Sequence, residues 1–139
     1  MNEKVSITEQ VKTFEDACKV LGLEPENLPI VEHLPEKDRQ SIVAYYKFAI
    51  IARALNEGWE PDFIDLDEWK FWNCYYIEPG SAGAGLACAY TYDAASYTDT
   101  SIGSRLCFKT HKLATYARKQ FRDLYFEYLF IDMPKNYGK

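Results

Sequence analysis

Lys70-Phe71-Trp72-Asn73-Cys74-Tyr75-Tyr76-Ile77 is dense in aromatic residues and stops just before Pro79-Gly80, so it reads as a β-strand closed by a turn. Two further strand-like runs follow at 86–92 and 104–109, separated by a glycine-rich loop at 79–85 and by residues 93–103. Connections this short hold no crossover helix. The three runs therefore predict a three-stranded antiparallel meander.

Helical patterns flank the runs. Thr13 is placed to cap a helix carrying Glu15 and Asp16 in its first turn, Phe14, Ala17, Cys18 and Leu21 on one face, and Gly22 as its stop. The segment 5–11 before it reads equally as a strand or as an extra helical turn. After Pro25, Pro29 and Pro35 an extended connection gives way to a helix over 35–56, whose middle at 42–52 is apolar almost all round. Such a helix is central and covered on several sides. A last amphipathic helix is predicted over 110–130, with Leu113, Ala117, Phe121, Leu124 and Tyr128 on its inner face and a loose tail from about 132.

The fold class expected is thus α+β: one domain spanning 1–139, a small meander packed against two to three helices. Ile42, Tyr46, Ala49, Ile50, Leu106, Phe108, Leu113, Phe121 and Leu124 are the expected core. At 139 residues the chain is long enough for one buried core, and 47% hydrophobic with 27% charged residues excludes disordered and fibrous classes. Residues 1–6 form no uninterrupted apolar stretch, and nothing elsewhere approaches the ~20 apolar residues of a membrane span. The expected location is the cytosol, with no membrane partner. Cys18, Cys74, Cys88 and Cys107 lie far apart without a CxxC pair and are expected as reduced thiols.

Three segments carry a resemblance. Ala54-Leu55-Asn56-Glu57-Gly58-Trp59-Glu60-Pro61-Asp62, then Gly103-Ser104-Arg105-Leu106-Cys107-Phe108-Lys109, then the 113–125 pattern of Leu113, Ala114, Tyr116, Ala117, Gln120, Phe121, Leu124 and Tyr125 cover about half the chain. Together they resemble an uncharacterised family of predicted bacteriophage and prophage proteins, especially of gut Bacteroidetes. The resemblance implies an origin in a phage or mobile element, hence a host cytosol. It brings no activity or site residue with it.

No motif announces chemistry. The 80–85 loop lacks the Gly-Lys-Ser/Thr ending of a phosphate loop and is followed by a strand, so it reads as a hairpin loop. Asp65, Asp67 and Glu68 sit in an acidic segment with Glu60 and Asp62, but without the ligand spacing of a calcium loop, and read as a solvated loop pinned by Trp59, Phe63, Leu66 and Trp69. Cys74, Cys88, Cys107 and His111 would make a zinc site only if sheet register gathered them, and Cys107 to His111 is the single close pair. No catalytic residue, metal or cofactor is expected. An enzyme without a recognisable motif is the third-ranked reading.

The distinctive number is 16% aromatic residues, with eleven Tyr, eight Phe and three Trp. A small sheet buries one face against its helices, whereas alternation places aromatics on both. Trp69, Trp72, Tyr75, Tyr76, Tyr90, Tyr92 and Tyr97 are therefore the expected contact residues of a non-enzymatic interaction module binding a protein partner or a second copy. The alternative is single-stranded nucleic acid, with bases stacked on those rings and phosphates neutralised by Lys109, Lys112, Arg118, Lys119 and Arg122. Residues 1–100 carry 8 basic and 18 acidic side chains (−10) and 101–139 carry 8 and 3 (+5), so the cations do concentrate in the last helix.

Overall fold

The computed structural model describes residues 3–65, 67–76, 88–94 and 102–131. The chain opens with one helical turn, α1 (Ile7–Gln10), which settles the 5–11 segment as helical and ends at the fully buried Val11. Helix α2 (Phe14–Leu21) starts where the sequence places it. The Thr13 hydroxyl accepts from the Asp16 amide at 3.1 Å, and the Asp16 carboxylate accepts from the Lys12 and Thr13 amides at 3.0 and 3.1 Å. Those hydrogen bonds hold the Asp16 carboxyl below its ordinary range, led by the one from Lys12.

Helix α3 (Glu36–Leu55) is the axis of the fold and packs against α1, α2 and the later elements. Ala44 and every residue of 48–55 except Arg53 are buried in it, matching the apolar middle of its sequence. Its first half runs beyond this cover, so Ile42, expected in the core, is 41% exposed. Asn56 caps the helix from a buried position. Its side-chain amide donates to the Cys107 carbonyl at 2.9 Å while its oxygen accepts from the Lys109 amide at 3.0 Å.

The expected α+β fold with a three-stranded meander is not what forms. The chain is mostly helical, with five α-helices among the described residues, and β1 (Lys70–Tyr76) pairs with β2 (Cys88–Ala94) in a two-stranded antiparallel ribbon. The third run fails for a physical reason. Gly103, at φ 77° and ψ 179° in a region open essentially to glycine, starts a 3₁₀ turn over Ser104–Leu106. Leu106, Cys107 and Phe108 are then buried in succession, which does not fit a strand with one open face. What remains of the strand is one reciprocal pair: Phe108 N donates to Phe71 O at 2.7 Å, and Phe71 N to Phe108 O at 3.2 Å.

The last helix is also two. Helix α4 (His111–Gln120), capped by the Thr110 hydroxyl, is interrupted at Phe121 (φ −111°, ψ 30°) before α5 (Arg122–Leu129). The interruption lets α4 carry the ribbon while α5 lies along α3. Phe121 points inward at the joint. One apolar cluster runs from Val11 to Phe126, with Phe48 at its centre against Tyr125 (ring centroids 4.0 Å), Phe108 and Phe121 (both 6.4 Å). Of the expected core, Ala49, Ile50, Leu106, Phe108 and Phe121 are buried, and Tyr46, Leu113 and Leu124 pack on the cluster partly covered.

Candidate functional site

Pleat alternation gives β1 two faces of different character. Phe71, Asn73 and Tyr75 face the helices. The Phe71 ring meets the His111 ring edge-on at 5.9 Å. Asn73 is buried, and its amide nitrogen donates to the Ala114 carbonyl at 2.8 Å and to the Tyr125 hydroxyl at 2.7 Å. The Tyr75 hydroxyl donates to the Arg118 carbonyl at 3.0 Å, and its ring lies 5.4 Å from Tyr125 and 5.5 Å from Phe126. Burial holds both tyrosine hydroxyls well above their ordinary range. Tyr75, expected as a contact residue, is therefore a packing residue.

Trp72 and Cys74 occupy the other face, where burial raises the Cys74 thiol and the neighbouring Trp72 side chain partly offsets the rise. The register sets Tyr92 opposite Trp72 and Tyr90 opposite Cys74, so the backbone puts these four positions on one pleat face. The side chains of Tyr76, Tyr90 and Tyr92, and the whole of Tyr97, lie outside the described residues. Trp69, just before the strand, is 55% exposed.

The acidic segment leading to Trp69 is held by its own carboxylates. Asp62 accepts from the Ile64 amide at 2.8 Å, Asp65 from the Asp67 amide at 2.9 Å, and Glu68 from the Asp62 amide at 2.7 Å. Lys70, only 2% exposed, closes the loop. Its ammonium donates to the Asp65 and Glu68 carbonyls at 3.2 and 3.0 Å, lies 3.6 Å from the Glu68 carboxylate, and sits over the Phe63 ring. Among the described residues, no three His, Cys, Asp or Glu side chains gather as metal ligands. Of the residues weighed for zinc, Cys74 lies on the outer pleat face, the Cys107 thiol is buried and donates to the Gly103 carbonyl at 3.2 Å, and the Cys88 side chain lies outside the described residues.

The cations of the nucleic-acid reading differ in exposure. Lys109, Lys112 and Lys119 are exposed, but Arg122 stacks on the Phe126 ring at 4.1 Å and Arg118 lies on the ribbon side of α4. Because Asn73 and Tyr75 bond to α4, the pleat face carrying Trp72 is the one turned away from that helix.

A concave feature escaped the sequence reading. A cleft of about 280 Å³ at the end of α3 is lined by Arg53, Trp59, Glu60, Ser104 and Arg105. Its walls are 50 residues apart in the chain, one read as an apolar helix and the other as a strand. No helix among the described residues is long and apolar enough to cross a membrane. Comparison with known protein families, with curated proteins and with solved structures finds no match to this chain.

Proposed function

We propose that this chain is a non-enzymatic binding module, of phage or mobile-element origin and working in a host cytosol, that captures a protein partner through Trp69 and the outer pleat face of the ribbon. The observation that carries the reading is the division within β1. Its odd-numbered residues bond or pack into the helices, while the half-buried Trp72, which the register sets opposite Tyr92, lies on the other pleat face and Trp69 before the strand is exposed. Trp and Tyr supply large rigid contact areas with a polar handle, the make-up of binding hot spots.

The rim favours a partner other than a second copy. Asp65 and Asp67 are exposed next to Trp69, together with the 90% exposed Ile64, so two copies meeting through this face would bring like charges together. A partner with an apolar socket and a basic rim fits instead. The test is affinity capture from host cells with the wild-type chain and with Trp69→Ala/Trp72→Ala, followed by titration of the purified captured protein. The reading requires a partner that binds the wild type and is lost with the double substitution at unchanged melting temperature. Equal capture by both chains refutes it.

A further inference from the structure

The cleft at the end of α3 is built from two walls that the fold clamps together. One wall carries Arg53 on the last turn of α3 and Trp59 just after it; the other carries Ser104 and Arg105 on the 3₁₀ turn. The clamp is Asn56, whose hydrogen bonds to Cys107, buried, and to Lys109, partly buried, tie the two walls together. Backbone conformation completes it. Among the described residues, positive φ occurs at four positions, and three of them border this cleft: Glu57 at 49°, Gly58 at 91° and Gly103 at 77°. Glu57 and Gly58 reverse the chain so that Trp59 N donates to Asn56 O at 3.0 Å and the indole returns to the cleft; Gly103 sets the start of the turn that presents Arg105. Glycine takes such angles without strain, so Glu57, next to the lining residue Asn56, is the one non-glycine residue held there among the described residues.

Neither Arg53 nor Arg105 makes a hydrogen bond or ion pair among the described residues, although Glu60 lines the same cleft. The dipole of α3 favours a cation in its last turn and so accounts for Arg53. It does not account for Arg105 on the facing wall. Two guanidinium groups bordering one concavity repel each other and are relieved by an anion that both can reach, and the guanidinium fork matches phosphate and carboxylate oxygens. Trp59 adds a flat apolar wall on which a planar ring stacks.

We infer that this cleft binds a small planar anion of the mononucleotide kind, with Arg53 and Arg105 holding its charged group and Trp59 stacking on its ring. The volume of about 280 Å³ lies just below the range of roughly 300–1,000 Å³ usual for small-molecule sites, which suits a ligand no larger than one nucleotide. Glu60 and the Ser104 hydroxyl are placed in the same lining to bond hydroxyl or amino groups of the ligand. This site is separate from the ribbon face and independent of the protein-binding reading.

Calorimetric titration of the full chain with adenosine monophosphate, inorganic phosphate and adenosine tests the inference. The monophosphate should bind at least about tenfold tighter than either fragment, since charge and stacking contribute together. Arg53→Ala and Arg105→Ala should each weaken it about tenfold or more. Both side chains are exposed, so melting temperatures stay unchanged. Arg105→Lys, which keeps the charge and loses the fork, should fall between wild type and Arg105→Ala, and Trp59→Ala should reduce the monophosphate to the affinity of phosphate. No binding at about millimolar monophosphate, equal affinity for phosphate alone, or indifference to both arginine substitutions overturns the inference.

Discussion

The two faces of β1 are made from neighbouring residues of one strand and do opposite things. Phe71, Asn73 and Tyr75 bond or pack into α4, α5 and the 3₁₀ segment, so each is answerable to the fold. Trp72 and Cys74 share the other face, and the register sets Tyr92 and Tyr90 opposite them. The lesson is that aromatic richness by itself separates nothing. Tyr75 and Trp72 look alike in sequence, and only the partners of the inner face show which ring is spent on stability.

The largest effect that sharpens this contrast is expected where the inner face meets the core. Phe108, fully buried, pairs with Phe71 through the backbone and with Phe48 through its ring. Phe108→Ala should cost about 3–5 kcal/mol in a denaturant titration through the lost burial and the cavity left behind. A loss below about 1 kcal/mol would place the ribbon outside the cooperative core.

Alkaline pH gives the next largest effect. Burial pushes the Cys107 thiol from an ordinary value of 9.0 up to about 11, and it holds the Tyr75 and Tyr125 hydroxyls up as well. In each case the folded value is raised, so the unfolded chain gives up its proton first as pH rises. The contribution of Cys107 is therefore fully present below about pH 9 and is lost as pH climbs to about 11, a change of roughly 2–3 kcal/mol. Stability measured between these limits should fall, and Cys107→Ser should flatten part of the decline. A stability flat across that range would contradict the inward packing.

The smallest effect belongs to the exposed side. Trp69→Ser should change stability by no more than about 0.5 kcal/mol, because the ring is more than half exposed and the loop before it is held by Lys70. A larger loss would make Trp69 a packing residue and remove it from the binding face.

Much of the helical framework was legible in the sequence. Thr13 and Gly22 bracket α2, Pro35 precedes α3, and the apolar 42–52 stretch marks the central helix, because caps, proline and local periodicity act over a few residues. The strand pairing of 70–76 with the next run was legible too. What stayed hidden depends on distant contacts. The 113–128 pattern keeps its helical period straight through Phe121, so nothing local announces a joint that α3 and the ribbon impose from two directions. Residues 104–109 read as a strand until the burial of three successive side chains overrules alternation. The Arg53 and Arg105 cleft unites segments about 50 residues apart, and its local signals, Gly58 and Gly103, read only as turn residues. The excess of aromatics pointed to the ribbon but not to the face.

The division of β1 is tested most directly by comparing Asn73→Ala with Trp72→Ala, adjacent residues on opposite faces, in paired denaturant titrations of the full chain. Asn73→Ala leaves the Ala114 carbonyl and the Tyr125 hydroxyl without their buried partner and should cost about 1–3 kcal/mol. Trp72→Ala should cost less than about 1 kcal/mol. A loss from Trp72→Ala equal to or greater than that from Asn73→Ala would mean that the outer face is also core, and would contradict the account.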